Sequence, residues 1–352
     1  MTTLLPAPDA LGHAGDLSFS RTVDRSLLHR SALSEVFLTD ARRVDERRYV
    51  AAAQLPPAHP YYTSYSLRPR LLDPLLLLEC CRQAETLGAH EYFGVGMGSR
   101  FVLREWSMRL SESSAISVPR GPAELIMLVT TRDAREHRRQ LRGLRYEIDM
   151  YTRGTWLGQV RMSVSYLPPD SYDFLRSRRR GSRPPTTDEY QPVAGGHPAE
   201  PYLVGRTNPV DVVLLDPVIG PLSASATLRV PVDNSSMFDH ALDHVPGMIL
   251  MEAARQICLL AGNEYYGSST TRTAMVAVTA SFTAYAELDK PIMVAVDRTP
   301  VAEPAGMSVQ DAFPGAQWMS VAFWQEEAPV STATPAMATI VESGRGIPGE
   351  RA

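Results

Sequence analysis

Two stretches of the chain are apolar on every side of the helix that they would form. They cover residues 74–90 and 247–263, and the second begins GMILMEAARQICLLA. A surface helix carries its apolar residues on one stripe, whereas a helix that is apolar all round is buried. The pattern therefore predicts two helices that lie inside the protein.

Around each predicted helix the sequence changes to an alternation of apolar and polar residues. Residues 145–151, RYEIDMY, are an example, and a period of two is typical of antiparallel strands with one exposed face. Short strands precede each helix and longer ones follow it, so the fold class is α+β. The predicted strands span 33–39, 47–54, 100–111, 122–131, 142–152 and 156–166 in the first half and 210–216, 224–232, 272–287, 291–298, 315–325 and 334–342 in the second.

The two halves of the chain repeat each other. Residues 30–40, RSALSEVFLTD, match 206–216, RTNPVDVVLLD, and residues 73–83 match 246–256 at nearly the same separation. Two ordered matches of this kind indicate an internal duplication. A buried helix inside a curled antiparallel sheet is the hotdog arrangement. The sequence therefore predicts a tandem, or double, hotdog, in which each half wraps a sheet around its own central helix.

The segment between the repeats has a different composition. Residues 168–200 are rich in proline, glycine and charge, and such a stretch buries little apolar surface. We predict an N-terminal repeat over 17–167, an exposed linker over 168–200 and a C-terminal repeat over 201–342. A basic cluster in the linker is interpreted either as solvated or as a site for an acidic partner. It consists of Arg176, Arg178, Arg179, Arg180 and Arg183.

The overall composition argues against several classes of protein. The 352 residues carry a net charge of −4, which does not suit a nucleic-acid or membrane-surface protein. The apolar runs are shorter than the ~20 residues that span a bilayer, and the N-terminus lacks the pattern of a secretory signal. Three cysteines without framework spacing predict reduced thiols and a cytoplasmic protein. They are Cys80, Cys81 and Cys258.

Each predicted buried helix nevertheless carries three polar residues on one face. Glu252, Arg255 and Gln256 stand at positions i, i+3 and i+4, which share a helix face. Burying a charge is costly unless it is paired, so one interpretation is a structural Glu–Arg pair. The other is a stripe that lines a site, with glutamate as general base and arginine holding a carboxylate or phosphate. The first-half counterparts are Glu79, Arg82 and Gln83.

A loop with two Asp-His pairs comes directly before the second helix. Residues 237–247 read MFDHALDHVPG, and an aspartate can fix the tautomer of a histidine. Pro246 suits a helix start, and Gly247 leaves backbone N–H groups that can point at an oxyanion. This loop suits acyl-thioester chemistry, and a metal site is the weaker alternative because the spacing matches no ligand pattern. The candidates are His240, Asp243 and His244, with His59 in the first half.

The chain resembles the A-factor biosynthesis (AfsA-like) family of actinobacteria over about residues 29–342. The resemblance rests on FDHALDHVPGMILMEAARQ and RTNPVDVVLLD and on the first-half segments HRSALSEVFLTD and DPLLLLECCRQ. It implies an enzyme that condenses a β-ketoacyl thioester on acyl carrier protein with dihydroxyacetone phosphate. The ester formed is the precursor of a γ-butyrolactone, butenolide or furan signalling molecule that regulates antibiotic production. The resemblance implies acyl transfer with no cofactor and no metal.

The resemblance also suggests roles for the candidate residues. Glu252 or a histidine accepts the hydroxyl proton, and the helix N-terminus at Gly247 stabilises the oxyanion. Arg255 or Arg82 pairs with the substrate phosphate. The remaining polar candidates are expected to contact substrate, namely Gln256, Gln83, Asp243 and His59.

In hotdog dimers the histidine and the acid usually come from different protomers. By analogy, His240 and His244 are expected to face Glu79, and His59 is expected to face Glu252. Two rival functions stay open at this stage: a hotdog thioesterase or dehydratase, and a non-catalytic regulator that binds acyl ligands. The sequence also leaves open whether two copies form a homodimer.

Overall fold

The computed structural model describes residues 12–113, 115–118, 121–192 and 195–341. Within these ranges the chain forms three α-helices and thirteen strands. The first half contains β1 (Leu38–Arg43), β2 (Arg48–Leu55), α1 (Pro74–Glu91), β3 (Arg100–Leu110), β4 (Ala123–His137), β5 (Gln140–Thr152) and β6 (Thr155–Leu167). Helix α2 (Pro169–Arg180) follows. The second half contains β7 (Leu214–Ile219), β8 (Ser223–Leu228), α3 (Gly247–Tyr266), β9 (Thr273–Phe282), β10 (Met293–Asp297), β11 (Gln317–Trp318), β12 (Val321–Gln325) and β13 (Ala328–Thr339).

The strands form one antiparallel sheet whose order reveals the duplication. The order is β1-β2-β4-β5-β6-β3-β9-β13-β12-β10-β8-β7, with β11 paired to β13. Read inward from each edge, the two halves have the same topology. They join where β3 pairs with β9, from Glu105 opposite Ser281 to Arg109 opposite Ala277. The predicted double hotdog is confirmed, and its two sheets are continuous.

The two long helices lie inside this sheet and contact each other. Helix α1 starts at Pro74, and the Asp73 side chain caps it by accepting the N–H of Leu75 at 2.8 Å. A Cβ at Gly88 would lie 2.3 Å from the Tyr49 hydroxyl oxygen, so glycine allows α1 to pack directly on β2. Most residues of both helices are buried, as the all-round apolar pattern predicts.

Several predicted strand boundaries are wrong. The segment predicted as a strand over 33–39 forms a single 3₁₀ turn at Leu33–Glu35 before β1 begins at Leu38. The second half repeats this arrangement at Pro209–Asp211. The turn exposes backbone groups to the helix: Gln83 Nε2 donates to the Glu35 carbonyl, and the Phe37 N–H donates to Gln83 Oε1. Near the C-terminus, the region predicted as 315–325 divides into β11 and β12, and β13 begins at Ala328.

The segment between the repeats is more ordered than its composition predicts. Helix α2 occupies Pro169–Arg180, and Arg176 within it is 3 % exposed. Its arginines form ion pairs with Asp243, Glu287 and Asp289 of the second half. Because those carboxylates are distant in sequence, composition alone could not distinguish this helix from a solvated linker. In the described ranges no helix combines the length and apolar character that crossing a bilayer requires.

Candidate active site

Helix α3 carries a fully buried polar network. Glu252 accepts hydrogen bonds from Arg206 Nε at 2.8 Å, from Arg255 and from Gln256. Arg255 Nη1 in turn donates to Asp73 Oδ1 at 2.8 Å. Burial acts to raise the pKa of Glu252, but the guanidinium groups of Arg206 and Arg255 outweigh it and lower that pKa. The network therefore holds an ionised carboxylate as part of the core.

Helix α1 carries the same network in a more open form. Glu79 accepts hydrogen bonds from Arg82 Nε and Nη2 at 2.8 and 2.9 Å, from Gln83 Nε2 at 2.8 Å and from Arg30. Burial is again outweighed, because Arg30 and Arg82 lower the pKa of Glu79 to about 2. Arg30 stands where Arg206 stands in the other repeat. The side chain of Arg82, however, is 28 % exposed.

One position explains why only the α1 network is open. The residue before α1 is Asp73, whose carboxylate bonds Arg255. The residue before α3 is Pro246, which offers Arg82 no side-chain acceptor. Arg255 is thereby enclosed, whereas Arg82 Nη1 has no hydrogen-bond partner within the described ranges. Arg82 lines a cavity instead.

This cavity lies between the two halves and has a volume of about 1440 Å³. Its lining residues belong to α1, β3, β6 and α2, to the loop before α3 and to the start of α3. Part of the wall is apolar, with Phe101, Met162 and Val164 among the lining residues. The predicted site residues that line it are Glu79, Arg82, His240, Asp243, His244 and Gly247.

His244 and Asp243 form a hydrogen-bonded pair at the cavity. His244 Nδ1 lies 2.6 Å from Asp243 Oδ1, and the Tyr172 hydroxyl and Arg176 Nε also donate to this carboxylate. Burial acts to raise the pKa of Asp243, but the hydrogen bond from His244 and the charge of Arg176 lower it. An ionised Asp243 favours the His244 tautomer with hydrogen on Nδ1, which leaves Nε2 as a free acceptor.

Helix α2 holds this pair in place. Arg176 donates to both carboxylate oxygens of Glu287 at 2.6 and 3.0 Å and to the backbone carbonyl of Asp243 at 2.9 Å. Its guanidinium lies 4.1 Å from the centre of the Tyr285 ring, and the same ring meets His244 edge-on. A residue that the composition assigns to a linker thus supports the His244–Asp243 pair.

The other Asp-His pair joins the two halves. The Asp239 carboxylate accepts the backbone N–H groups of Ser31 and Ala32 at 2.7 Å each. His240 Nδ1 lies 3.4 Å from the same carboxylate, and Arg30 Nη1 lies 3.9 Å from it. Since Arg30 also bonds Glu79, these contacts place His240 and Glu79 on neighbouring walls of the cavity.

The N-terminus of α3 opens onto the cavity. Its first residues, Gly247 and Met248, are lining residues, and their N–H groups have no hydrogen-bond partner within the described ranges. A Cβ at Gly247 would lie 3.1 Å from two ring carbons of Phe282, so glycine lets the helix start pack closely on this ring. Unpaired N–H groups and the helix dipole together favour a negative charge at this point.

Sequence reasoning missed His29, which also lines the cavity. His29 Nε2 lies 2.9 Å from His90 Nε2, and His90 Nδ1 lies 2.7 Å from the carbonyl of Val95. Burial, followed by the charges of His90, Arg82, His240 and Arg100, lowers the pKa of His29 to about 4. His29 is therefore neutral at pH 7. Its place in the first repeat corresponds to Gly205 in the second, so the duplication gave no signal for it.

Glu85 is a second residue that sequence reasoning missed. It lines the cavity and is 3 % exposed, and it accepts hydrogen bonds from the Tyr166 hydroxyl at 2.9 Å and from Thr86 Oγ1 at 3.2 Å. Burial raises the pKa of Glu85 to about 7 although Tyr166, Arg82 and Thr86 oppose it. The second repeat has Cys258 at this place, so the apolar context of α1 was the only available signal.

The structure does not bring the remaining predicted residues to the cavity. His59 does not face Glu252: its Nε2 lies 3.4 Å from Glu35 Oε1, and its Nδ1 accepts the N–H groups of Tyr61 and Tyr62. The others are buried and held within the hydrogen-bond networks of the two helices. They are Glu252, Arg255, Gln256 and Gln83. In the described part of the chain, no three His, Cys, Asp or Glu side chains are arranged to hold a metal ion.

The fold and the cavity define a class: a double-hotdog protein with a shared site that combines a hydrogen-bonded Asp-His pair and an open helix N-terminus. The chain belongs to the A-factor biosynthesis hotdog family, whose sequence model matches residues 13–168 and 192–340. A Streptomyces virginiae protein named 2-oxo-3-(phosphooxy)propyl 3-oxoalkanoate synthase is 35% identical over 291 residues, which cover 82% of this chain and 92% of that protein. A Streptomyces coelicolor protein of the same name is 29% identical over 279 residues, covering 77% of this chain and 81% of that protein.

Solved structures include similar folds. An oleoyl thioesterase (putative) from Lactobacillus plantarum superposes with a TM-score of 0.47 at 9% identity, covering 83% of this chain and 97% of that chain. This likeness is one of overall arrangement and says nothing about the reaction.

Proposed function

We propose that this protein is an acyltransferase that joins a β-ketoacyl chain to dihydroxyacetone phosphate. The donor is a thioester on acyl carrier protein, and the product is a 2-oxo-3-(phosphooxy)propyl 3-oxoalkanoate, the precursor of a γ-butyrolactone, butenolide or furan signal that regulates antibiotic production. The relatives bear the name of this product. The observation that carries the proposal is the His244–Asp243 pair, which faces a large cavity beside an open helix end.

His244 is the proposed general base. Asp243 holds its Nδ1–H, so Nε2 can accept the proton of the dihydroxyacetone phosphate hydroxyl while the oxygen attacks the thioester carbonyl. When the tetrahedral intermediate collapses, the C–S bond breaks and the proton passes from His244 to the leaving thiolate. One ester and one thiol form, and no electrons are gained or lost. The exchange needs neither oxidant nor reductant.

The N-terminus of α3 is the proposed oxyanion site. Gly247 and Met248 follow His244 by three and four residues, and their N–H groups are free to donate to the negative oxygen of the intermediate. Removing one preorganised donor of this kind typically slows the reaction ~10²–10³-fold.

The phosphate is assigned to the cavity arginines of α1 and β3, Arg82 and Arg100. Glu79 fixes the guanidinium of Arg82 through two hydrogen bonds and leaves Nη1 available. Arg100 also lines the cavity, and the charges of both arginines lower the pKa of His29, so the two guanidinium groups lie near one another. A dianionic phosphate would satisfy them together. The apolar wall near Phe101 then remains for the acyl chain.

One chain supplies both central helices and both halves of the cavity, so the proposed site is complete without a second copy. The cytoplasm is the location that the proposal assumes, and there the three buried cysteines stay reduced.

The experiment compares His244→Gln with the same change at His197, which is 99% exposed and outside the cavity. Purified protein is given a 3-oxooctanoyl carrier protein and dihydroxyacetone phosphate, and ester and free acid are quantified by mass spectrometry. We expect the wild type and His197→Gln to make the ester. We expect His244→Gln to lose ~10²–10⁴-fold in rate at an unchanged melting temperature.

Three outcomes would contradict the proposal. Free 3-oxo acid as the main product would indicate a thioesterase, and binding without turnover would indicate a regulator. An active His244→Gln variant would remove His244 as the base, and the parallel variant His240→Gln then tests the other histidine of the loop.

A further inference from the structure

We infer that one flank of helix α2 is the docking surface for an acidic carrier protein that delivers the thioester. The inference rests on the proposed function, because it names the surface on which the donor is presented. The flank consists of Leu175, Arg178 and Arg179, all of which border the cavity. Positions i, i+3 and i+4 share one side of a helix.

The arginines of α2 divide into two groups by direction. Arg176 and Arg180 point into the protein and pair with Glu287, and Arg180 also pairs with Asp289. These contacts fix the helix rigidly against the second half. The fold therefore presents the other flank as a preformed surface.

Arg178 and Arg179 have no internal role. Both are exposed, and neither forms a hydrogen bond or ion pair within the described ranges. They stand together in a protein whose net charge is −4, so the positive potential of the flank is local. Clustered unpaired charges of one sign attract a partner of the opposite sign and raise its association rate.

The flank also exposes apolar side chains. Leu175 is 50% exposed, and the adjoining Phe174 is 62% exposed. A small anion would gain nothing from these side chains, whereas a protein surface with acidic residues around an apolar centre would contact both the leucine and the arginines. An exposed mixture of apolar and charged groups is typical of a transient protein interface.

Position links this surface to the reaction. The same helix that carries the flank carries Arg176 and Tyr172, which hold Asp243 next to His244. A carrier resting on the flank would stand at the edge of the cavity, and its thioester arm would enter beside the proposed base. The proposed phosphate-binding Arg82 lies on α1 and not on α2, so the phosphate and the carrier would contact different arginines.

The experiment is a double charge reversal, Arg178→Glu with Arg179→Glu. The matched control is Arg138→Glu with Arg139→Glu, two adjacent exposed arginines at the β4–β5 turn outside the cavity. Each variant is assayed with 3-oxooctanoyl groups on three donors: an acidic acyl carrier protein, pantetheine and coenzyme A. Binding of the unacylated carrier protein is measured separately by fluorescence anisotropy, which does not depend on turnover.

We expect kcat/KM with the carrier protein to fall about 10- to 100-fold in the α2 variant, with a matching loss of affinity for the carrier. In the wild type, added salt should weaken carrier binding because it screens the charges. Turnover of the pantetheine thioester should stay unchanged, and the control variant should resemble the wild type. Equal losses with carrier and pantetheine would overturn the inference, since the arginines would then act on the shared part of the donor. A loss confined to the coenzyme A thioester would overturn it too, and would assign the flank to a nucleotide. Failure of the wild type to form ester from any donor would refute the proposed function instead.

Discussion

Glu85 offers a test of the electrostatics of the cavity that does not depend on any substrate. Its carboxyl group lies against the apolar wall, and the groups that contact it are hydroxyls, namely those of Tyr166 and Thr86. Burial raises its pKa to about 7. Glu85→Gln keeps the shape of the side chain and an acceptor for Tyr166 but removes the ionisation.

The magnitude follows from the difference between the folded and unfolded pKa. Below pH 4.5 the carboxyl is protonated in both states and costs nothing. Between pH 4.5 and 7 the unfolded chain releases the proton while the folded protein retains it, so wild-type stability falls as the pH rises. A change from 4.5 to about 7 corresponds to about 3 kcal/mol, and above pH 7 the penalty is constant.

The assay is urea unfolding of the wild type and of Glu85→Gln at several pH values from 4 to 9. The stability difference should be smallest at the acid end and should grow in favour of the variant to about 3 kcal/mol above pH 7. The same change at the exposed Glu264 controls for the loss of a helix carboxylate. A difference between wild type and Glu85→Gln that does not vary with pH would refute the argument that Glu85 is held protonated.

Three further substitutions test the remaining parts of the structure. Glu252→Gln should cost ~3–5 kcal/mol because it leaves buried guanidinium groups underpaired, with normal specific activity in the folded fraction; a stable but inactive variant would instead make Glu252 catalytic. Asp73→Asn should lower the melting temperature in the same way by weakening the pairing of Arg255, which thermal unfolding would show. Gly247→Ala should place a methyl group against Phe282, which should lower the free energy of unfolding by ~1–3 kcal/mol and slow turnover. An unchanged kcat would argue against an oxyanion site there.

The two networks show how a duplicated sequence can give one site instead of two. Both helices carry Glu, Arg and Gln at the same positions, and both glutamates accept an arginine from upstream, Arg30 or Arg206. The copies differ at the residue before the helix. Asp73, before α1, pairs with Arg255 and so closes the network of α3. Pro246, before α3, has no side-chain acceptor for Arg82, so the network of α1 stays open to the cavity. The open copy meets the histidine loop of the other half, and this pairing makes the cavity asymmetric.

The architecture follows from patterns in the amino-acid sequence. The all-round apolar helices, the alternating strands and the internal repeat were sufficient to predict a double hotdog, because periodicity and duplication are both visible in the order of residues along the chain. The repeat also matched Arg30 with Arg206, a signal that could have identified both as partners of the helix glutamates. Strand boundaries do not follow from the sequence in the same way, because a 3₁₀ turn such as Leu33–Glu35 is stabilised by Gln83 from a distant helix.

The tertiary structure alone decided which polar residues face the cavity. Glu79 and Glu252 have nearly the same sequence context, yet only Glu79 lines the cavity, because exposure depends on what Asp73 and Pro246 offer across the helix pair. Helix α2 could not be predicted for the same reason. Its arginines are typical of a solvated linker, and only the folded structure shows the carboxylates that enclose Arg176. A buried charge is stable only with its partner, and partners that are distant in sequence meet only in the folded protein.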